Sequence, residues 1–339
     1  MLGYFAIASR ALFLKTTPFG KVSVMIRLLF ATYASPAVIG RVVFVLVFAS
    51  FLICVAASPA FAQTPQSRFA DVNGVRLHYL QAGAGKPVIL LHGFAETSHM
   101  WLPLMSELQA THNVIAVDLR GAGDSSAPAT GYTKAQMAVD IHELAKSLGF
   151  PSASLVGHDI GLMVAYAYAA QYPKEVSKIA LMDAFLLGVG NWRDAWLTRD
   201  HWHFHFYGET PLALVKGRAR TYLDHFWNDF AADRRKSVSE RDRQLYASEY
   251  AKPNHMLAGF EWFHSFEQDA ADNARFAKVS LTMPMLVIAG GKASGQFLIN
   301  QARLVASNVE GVVIPDSGHW LMEEAPVQTT SKLVEFLNR

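Results

Sequence analysis

The segment Val156-Gly157-His158-Asp159-Ile160-Gly161 constrains the fold more than any other part of this chain. A short apolar run, Ser154–Val156, leads into it, and a stretch of small and apolar residues, Leu162–Ala170, follows it. This order predicts a strand, a sharp turn at Asp159 and then a helix. The flanking glycines fit that prediction, because such a turn is strained and brings neighbouring backbone close to its central residue.

Asp159 stands where this strand-turn-helix pattern usually presents a serine. A serine nucleophile attacks acyl groups, whereas a carboxylate is suited to displacement at a saturated carbon, which opens an epoxide or expels a halide. The alternative is an ordinary Asp-Gly type of turn that carries no chemistry. Asp159 is therefore the candidate nucleophile, and the remaining motifs must decide between these interpretations.

Short apolar runs alternate with helical patterns along most of the chain, which predicts an α/β fold with a mostly parallel central sheet and helices on both faces. The runs lie at Phe69–Val72, Val75–Gln81, Pro87–Leu91, Val114–Val117, Ser154–Val156, Ile179–Met182, Leu286–Ala289 and Val312–Ile314. The helical patterns lie at Trp101–Gln109, Thr133–Leu148, Gly161–Gln171, Gly295–Ala306 and Ala325–Asn338. The first two runs are expected to form a hairpin around Asn73-Gly74.

The segment Phe185–Asp272 interrupts this alternation, because it is rich in aromatic residues and histidine and has no clear strand. We expect a helical cap over residues 185–272, inserted between two parts of the core at residues 63–184 and 273–339. Most aromatic residues at helical spacing serve packing.

His319, in Ser317-Gly318-His319-Trp320, follows the last apolar run and is the candidate general base for a water molecule. The loop after Leu286–Ala289 offers no carboxylate to orient it, whereas Asp183 directly follows Ile179–Met182. Asp183 is therefore the predicted relay acid. Asp316 is the alternative relay acid, although a residue in such a loop more often shapes the turn. Asp118 comes before the nucleophile in the chain and is interpreted as structural.

Two backbone N–H groups, those of Phe94 and Ile160, are the expected oxyanion-hole donors. His92 and His158 are expected to be structural histidines. His201, His203 and His205 alternate without a matching carboxylate or cysteine spacing, so neither a metal nor another cofactor is predicted.

The first 62 residues differ from the rest, because they contain basic residues and no Asp or Glu. An apolar stretch, Val42–Ala57, is followed by Ala60-Phe61-Ala62, a pattern typical of a signal peptide cleaved after Ala62. We therefore expect a periplasmic or secreted protein; the alternative is an uncleaved membrane anchor. Translation starts at either Met1 or Met25.

The leader carries five of the 30 Lys and Arg residues and none of the 28 Asp and Glu residues, so its removal changes the net charge from +2 to 25 − 28 = −3. This balance gives no indication of nucleic-acid binding. The single cysteine, Cys54, lies in the leader, so the remaining chain has no disulfide or cysteine-metal site.

Several motifs together resemble the epoxide hydrolase and dehalogenase branch of the α/β-hydrolase superfamily, over about residues 66–339. They are His92-Gly93-Phe94, Asp118-Leu119-Arg120-Gly121, Gly157-His158-Asp159-Ile160-Gly161 and Ser317-Gly318-His319-Trp320. The stretches Trp202-His203-Phe204, Tyr250-Ala251-Lys252-Pro253 and Phe260-Glu261 are similar to secreted bacterial epoxide hydrolases of the Cif type. The resemblance implies an alkyl-ester intermediate on Asp159 and a small apolar substrate with an epoxide or a carbon–halogen bond.

The resemblance also implies a pair of cap donors, His and Tyr, that hold the epoxide oxygen. His203 matches the first and is the candidate leaving-oxygen donor, whereas Phe263 stands at the second position and cannot donate a proton. Trp202 and Phe263 are expected to line the substrate pocket. The side chains of Trp262, His264 and Tyr207 are candidate replacements for the missing donor.

Two other functions remain open at this point. A haloalkane or haloacid dehalogenase is the first, although Ile160 replaces the tryptophan and no arginine follows the nucleophile as those families have them. Cap tryptophans at positions 192, 196, 202 and 262 would then bind the halide. The second is a non-catalytic binding protein, against which the complete set of Asp159, Asp183 and His319 argues.

Overall fold

The computed structural model describes residues 64–339, and at their centre is one sheet of eight strands. In chain order these are β1 Gln66–Val72, β2 Val75–Ala82, β3 Lys86–Leu91, β4 His112–Val117, β5 Ala153–His158, β6 Val176–Met182, β7 Met285–Gly290 and β8 Val309–Ile314. Across the sheet the order is β1-β2-β4-β3-β5-β6-β7-β8. The pairs β1–β2 and β2–β4 are antiparallel and the others are parallel. The predicted α/β class is therefore confirmed.

The helices of the described chain flank this sheet or lie between β6 and β7. They are α1 Leu102–Leu108, α2 Lys134–Ser147, α3 Ile160–Gln171, α4 Trp192–Trp196, α5 Glu209–Val215, α6 Ala219–Asp229, α7 Glu240–Tyr250, α8 His255–His264, α9 Phe266–Phe276, α10 Gly295–Val305, α11 Leu321–Glu324 and α12 Pro326–Asn338. Short 3-10 helices cover Ser98–Trp101, Pro173–Glu175 and Arg199–His205. Each of the helices predicted outside the aromatic segment has its ends within one residue of the predicted ends.

The opening hairpin has the turn that its sequence predicts. Val72 pairs with Val75, and the two residues between them, Asn73 and Gly74, have φ values of 48° and 74°. A two-residue type I′ turn requires positive φ at both positions, which Asn and Gly tolerate. The turn residues therefore determine the register of β1 against β2.

Strand β3 shows why the central runs are continuously apolar. Ile89 and Leu91 face a core layer shared with α2 and α3, whereas Val88 and Leu90 face a second layer shared with α1 and α12. All four side chains are fully buried. Full burial of such a side chain contributes about 1.5–3 kcal/mol, so a parallel strand covered on both faces cannot alternate apolar and polar residues.

The segment between Met182 and Met285 contains helices α4 to α9 and no strand within the described chain, apart from one isolated bridge from Leu281 to Ala306. Its last helix ends at Phe276, four residues beyond the expected end of the cap at Asp272.

A buried ion pair joins this segment to the core. The Lys134 ammonium, at the start of α2, lies 2.7 Å from Asp269 Oδ2 on α9, and both side chains are about 1% exposed. Asp269 Oδ1 also accepts a hydrogen bond from the Lys134 N–H, at 2.7 Å, and the ammonium donates to the Trp262 carbonyl. The ion pair and the Lys134 N–H hydrogen bond therefore connect the start of α2 to α9.

No helix within residues 64–339 combines the length and apolar character needed to cross a bilayer. The predicted signal peptide, its cleavage after Ala62 and the choice of start codon concern residues outside the described range.

Candidate active site

Asp159 occupies the sharp turn between β5 and α3 with φ 50° and ψ −120°. A non-glycine residue rarely adopts such angles, and the strain persists only where the surroundings hold it. Two glycines allow the close approaches that do so. A β-carbon at Gly161 would lie 2.1 Å from the Leu91 carbonyl oxygen, and one at Gly93 would lie 2.5 Å from Asp159 Cβ.

One of the two expected oxyanion donors contacts the candidate nucleophile. The Phe94 N–H donates a hydrogen bond of 2.8 Å to Asp159 Oδ2. The Ile160 N–H makes no hydrogen bond to this carboxylate in the described chain, but it belongs to the first turn of α3, where N–H groups have no partner within the helix. The hydrogen bond identifies Oδ2 as the carboxylate oxygen that faces the Phe94 N–H.

His319 lies against Asp183, the carboxylate that the sequence analysis pairs with it. Asp183 Oδ2 lies 2.9 Å from His319 Nδ1. Asp183 Oδ1 accepts hydrogen bonds from the Gly290 N–H at 2.9 Å, the Ser294 N–H at 3.2 Å and the Ser294 hydroxyl at 2.5 Å. The end of β7 and the loop after it therefore supply hydrogen-bond donors to Asp183, and no carboxylate. With Nδ1 donating to Asp183, Nε2 is the nitrogen left to act as a base.

Neither of the other two carboxylates that the sequence offered, Asp316 and Asp118, is bonded to His319. Asp316 is exposed, and His319 Nδ1 bonds to Asp183. Asp118 is buried and binds His78 Nδ1, the Ser98 N–H and the Asp124 N–H. Its role is structural, as expected.

His158 and Glu96 form a buried ion pair beneath His319. His158 Nδ1 lies 2.9 Å from Glu96 Oε2, and its Nε2 lies 2.9 Å from the His319 carbonyl oxygen. Burial alone would lower the pKa of His158, but the charge of Glu96 and its hydrogen bond outweigh it and raise the pKa to about 10. Two acceptors and a raised pKa mean that His158 is an imidazolium holding the His319 loop.

A second buried carboxyl group lies near this pair. Burial raises the pKa of Glu323 to about 8, and the negative charge of Glu96 acts in the same direction. Glu323 is therefore largely protonated at neutral pH. Neither glutamate was predicted from the sequence, although Glu96 lies two residues after Phe94 and α11 begins two residues after His319.

His92 is also structural, as expected. Its Nδ1 donates to the Gly93 carbonyl at 2.7 Å and its Nε2 accepts from the Leu119 N–H at 3.0 Å. Burial lowers the pKa of His92, so it is a neutral imidazole.

A cavity of about 470 Å³ lies in front of Asp159, Asp183 and His319. Aromatic side chains are the largest group in its lining, from Phe94, Phe185, Phe204, Phe226, Phe230, Phe263, Phe297 and Trp320. Such a lining suits a small apolar molecule. Phe263 thus lies where the sequence places it, and it has no donor to offer there.

His203 lines the same cavity and is 5% exposed. Burial lowers the pKa of His203 well below its ordinary value, and the neighbouring histidines act in the same direction. Its Nδ1 has no hydrogen-bond partner in the described chain. A neutral imidazole carries one N–H, so His203 has a single donor to offer.

Trp202 is corrected: it does not line the cavity and is 41% exposed. Its ring contacts Phe206 and His225, with ring centroids at 5.2 Å and 5.0 Å. The 3-10 helix Arg199–His205 departs from helical angles at His201, so His201 and His203 both face the cavity while Trp202 faces outward. His201 was missed, although the alternating histidines were the signal that could have found it.

None of the candidate replacement donors lines the cavity. The Trp262 indole N–H is bound to the Arg120 carbonyl at 3.2 Å. The ring of Tyr207 stacks on that of His264 at 4.5 Å, and His264 is exposed. Residues 64–339 also contain no cluster of three or more His, Cys, Asp or Glu side chains suited to hold a metal ion.

The chain is similar in sequence to known enzymes. The family model described as the alpha/beta hydrolase fold matches residues 86–326. The soluble epoxide hydrolase of Corynebacterium sp. (strain C12) is 32% identical over 264 residues, which cover 76% of this chain and 92% of that protein. The fluoroacetate dehalogenase of Burkholderia sp. is 26% identical over 290 residues, covering 80% of this chain and 94% of that protein.

Among solved structures, the Cif epoxide hydrolase from Acinetobacter nosocomialis matches with a TM-score of 0.74 and 24% identity, covering 82% of this chain and 90% of that chain. At this identity the likeness concerns the fold. The resemblance of the motifs to the epoxide hydrolase and dehalogenase branch is confirmed by the sequence relatives, and the Cif structure shares the fold.

Proposed function

The chain belongs to the alpha/beta hydrolase fold family, as a hydrolase of the epoxide hydrolase and dehalogenase type, and we propose that it opens small apolar epoxides to diols through an ester on Asp159. The observation that carries this proposal is the hydrogen bond from the Phe94 N–H to Asp159 Oδ2, together with the Asp183–His319 pair at the same cavity.

In the first step, the other oxygen of the nucleophile, Asp159 Oδ1, attacks a ring carbon of the epoxide. The new carbon–oxygen bond forms as the ring carbon–oxygen bond breaks, and the electron pair moves to the released oxygen. His203 donates its N–H to that oxygen, because it is neutral and lines the cavity. A proton from water completes the hydroxyl group.

In the second step, His319 Nε2 removes a proton from a water molecule, which adds to the ester carbon of Asp159. The carbonyl oxygen of the ester is Oδ2, so the negative charge develops on the atom that the Phe94 N–H already contacts. A preorganised donor of this kind contributes about 3 kcal/mol. The tetrahedral intermediate then expels the diol oxygen, which takes the proton from the His319 imidazolium that Asp183 stabilises. The Asp159 carboxyl group gives the proton that arrived with the added water to the hydroxide left from the first step, which restores the carboxylate.

A haloacid substrate is less compatible with this cavity. A carboxylate substrate needs a cation near the nucleophile, and no arginine lines the cavity. Its single lysine, Lys292, is exposed, whereas Asp194 and Asp200 are exposed carboxylates of the same lining. These charges disfavour an anion.

A dehalogenase is the second candidate, because a fluoroacetate dehalogenase is among the relatives. A leaving halide needs N–H donors, yet the tryptophans once expected to supply them, at positions 192, 196, 202 and 262, do not line the cavity. A non-catalytic binder would have no use for the bonds that orient Asp183 and His319.

Epibromohydrin separates the first two functions, because diol and bromide can be followed separately. We expect the protein, expressed from the full chain, to form diol without releasing bromide, and Asp159→Ala to form none. Bromide release without ring opening would favour the dehalogenase. Asp183→Asn should lower turnover by about 10²–10⁴-fold because the His319 tautomer is lost, while Asp316→Asn, an exposed control, should not.

We propose that the protein is exported to the periplasm or beyond, from the leader composition alone. The N-terminal sequence of the protein recovered from the periplasm should begin at Gln63. A protein that stays uncleaved in the membrane fraction would contradict this.

A further inference from the structure

The loop that supplies the oxyanion donor contains a strained residue. Phe94 donates its N–H to Asp159 Oδ2, and the next residue, Ala95, has φ 63°. This is the left-handed region, which alanine rarely adopts. Strain of this kind at a functional site persists only where contacts hold it.

Two side chains of the cap hold the main chain of Ala95 on both sides. The Ala95 N–H donates to the hydroxyl oxygen of Tyr250 at 3.0 Å, and the Ala95 carbonyl accepts from the indole N–H of Trp227 at 3.1 Å. Tyr250 is the last residue of α7, and Trp227 lies in α6. Both side chains are buried, at 2% and 0% exposure. We call these two bonds the Ala95 clamp.

The ring of Phe94 is held by the cap as well. It makes edge contacts with Phe226, Tyr250 and Phe263, with ring centroids 4.9–5.2 Å apart. Gly259 on α8 leaves room for it, because a β-carbon there would lie 2.7 Å from Phe94 Cε2. The side chain of Phe94 and the backbone of Ala95 are therefore both fixed by the inserted helices.

We propose that Tyr250 and Trp227 are positioning residues, which set the aim of the Phe94 N–H at Asp159 Oδ2 by clamping Ala95. This inference rests on the proposed function, in which Oδ2 carries the developing charge. A donor acts only at hydrogen-bond distance from that oxygen, so a small rotation of the Ala95 peptide weakens it.

Tyr250 acts through the loop and not on the substrate. It does not line the cavity in front of Asp159. Burial raises the pKa of Tyr250 well above its ordinary value, so its hydroxyl stays un-ionised and is no general base.

The test compares two tyrosines of the cap. Tyr250→Phe removes the acceptor of the Ala95 N–H and keeps the ring. With an epoxide such as styrene oxide, we expect kcat to fall about 10–100-fold while KM changes less than about twofold, because the lost interaction is made in the transition state.

The matched control is Tyr222→Phe. Tyr222 is buried in α6, and its ring edge lies against Phe94 at 6.3 Å, but its hydroxyl has no hydrogen-bond partner within residues 64–339. Its kcat should equal that of the wild type. Equal losses in both variants would overturn the proposal, since the effect would then be one of packing.

Hydrogen exchange of the Ala95 amide reads the clamp without any substrate. We expect faster exchange in Tyr250→Phe and unchanged exchange in Tyr222→Phe. If the wild type turns over no epoxide, the proposed function fails and this measurement still tests the clamp. Unchanged exchange in Tyr250→Phe, or faster exchange with an unchanged kcat, would overturn the positioning role.

A second substitution keeps the inference testable if Tyr250→Phe does not fold. Trp227→Phe removes the donor to the Ala95 carbonyl and should give the same selective loss of kcat. Adding Ala95→Gly should restore part of the lost kcat in either variant, because glycine takes this φ without strain. A kcat that stays fully lost in the double variant, with Ala95→Gly alone active, would contradict the role of the clamp.

Discussion

At the scale of single residues, backbone strain is concentrated where the chemistry is proposed. Within the described chain, five non-glycine residues have positive φ, and three of them are Ala95, Asp159 and Asp183. Each costs about 1–3 kcal/mol and persists only where the surroundings impose it. All three are held by hydrogen bonds across the site, so the geometry depends on contacts between distant parts of the chain.

Phe263 stands where the resemblance implies a second donor to the epoxide oxygen. Its ring lines the cavity and lies 5.3 Å from the ring of His203. Phe263→Tyr adds a hydroxyl beside the released oxygen and should raise kcat for styrene oxide at least about tenfold, since a well-placed donor contributes about 3 kcal/mol. Phe263→Leu, which adds no donor, should not raise it. An unchanged rate in Phe263→Tyr would mean that His203 alone suffices.

At the scale of elements, the core was predictable and the interior of the cap was not. All eight apolar runs lie within strands, and those in β3 to β7 are largely apolar because both faces of these central strands are covered. Asp183 could be chosen because the order of the strands placed one carboxylate after β6 and none after β7. The error at Trp202 arose in a kinked 3-10 helix, where neither helical nor strand periodicity tells which side chains point inward.

The buried ion pair between Lys134 on α2 and Asp269 on α9 gives a prediction at this scale. Lys134→Met leaves the buried Asp269 carboxylate without its partner and should lower the free energy of unfolding by about 3–5 kcal/mol. Urea denaturation checks this, with Lys146→Met as a control, because Lys146 is 69% exposed on the same helix. Adding Asp269→Asn to Lys134→Met should recover part of the loss. A loss below that of the control would contradict a structural role for the pair.

At the scale of the whole molecule, three ionisable groups from distant parts of the chain, Glu96, His158 and Glu323, interact through their charges. The pKa of Glu323, about 8 against an ordinary 4.5, means that the folded protein keeps a proton that the unfolded chain releases. Stability from this group is complete below pH 4.5 and is lost as the pH rises through about 8. The pKa of His158 is raised from 6.5 to about 10, so this residue adds a further loss of stability as the pH rises through about 10.

The free energy of unfolding should therefore be lower at about pH 9 than at about pH 6. The decline is at most about 1.4 kcal/mol per pH unit for each proton. Glu323→Gln removes the carboxyl proton from this balance and should show a smaller decline. Glu335→Gln, whose side chain is 55% exposed, should decline like the wild type. Identical pH dependence in the wild type and in Glu323→Gln would show that this proton does not affect folding.

The covalent ester on Asp159 is the central claim, and the mass of the intact protein tests it most directly. In His319→Gln the nucleophile and its donor remain, but the water is not activated, so the ester should accumulate during incubation with styrene oxide. We predict a mass gain of one epoxide on this variant and none on His319→Gln combined with Asp159→Asn. An active wild type whose His319→Gln variant shows no adduct would contradict the account.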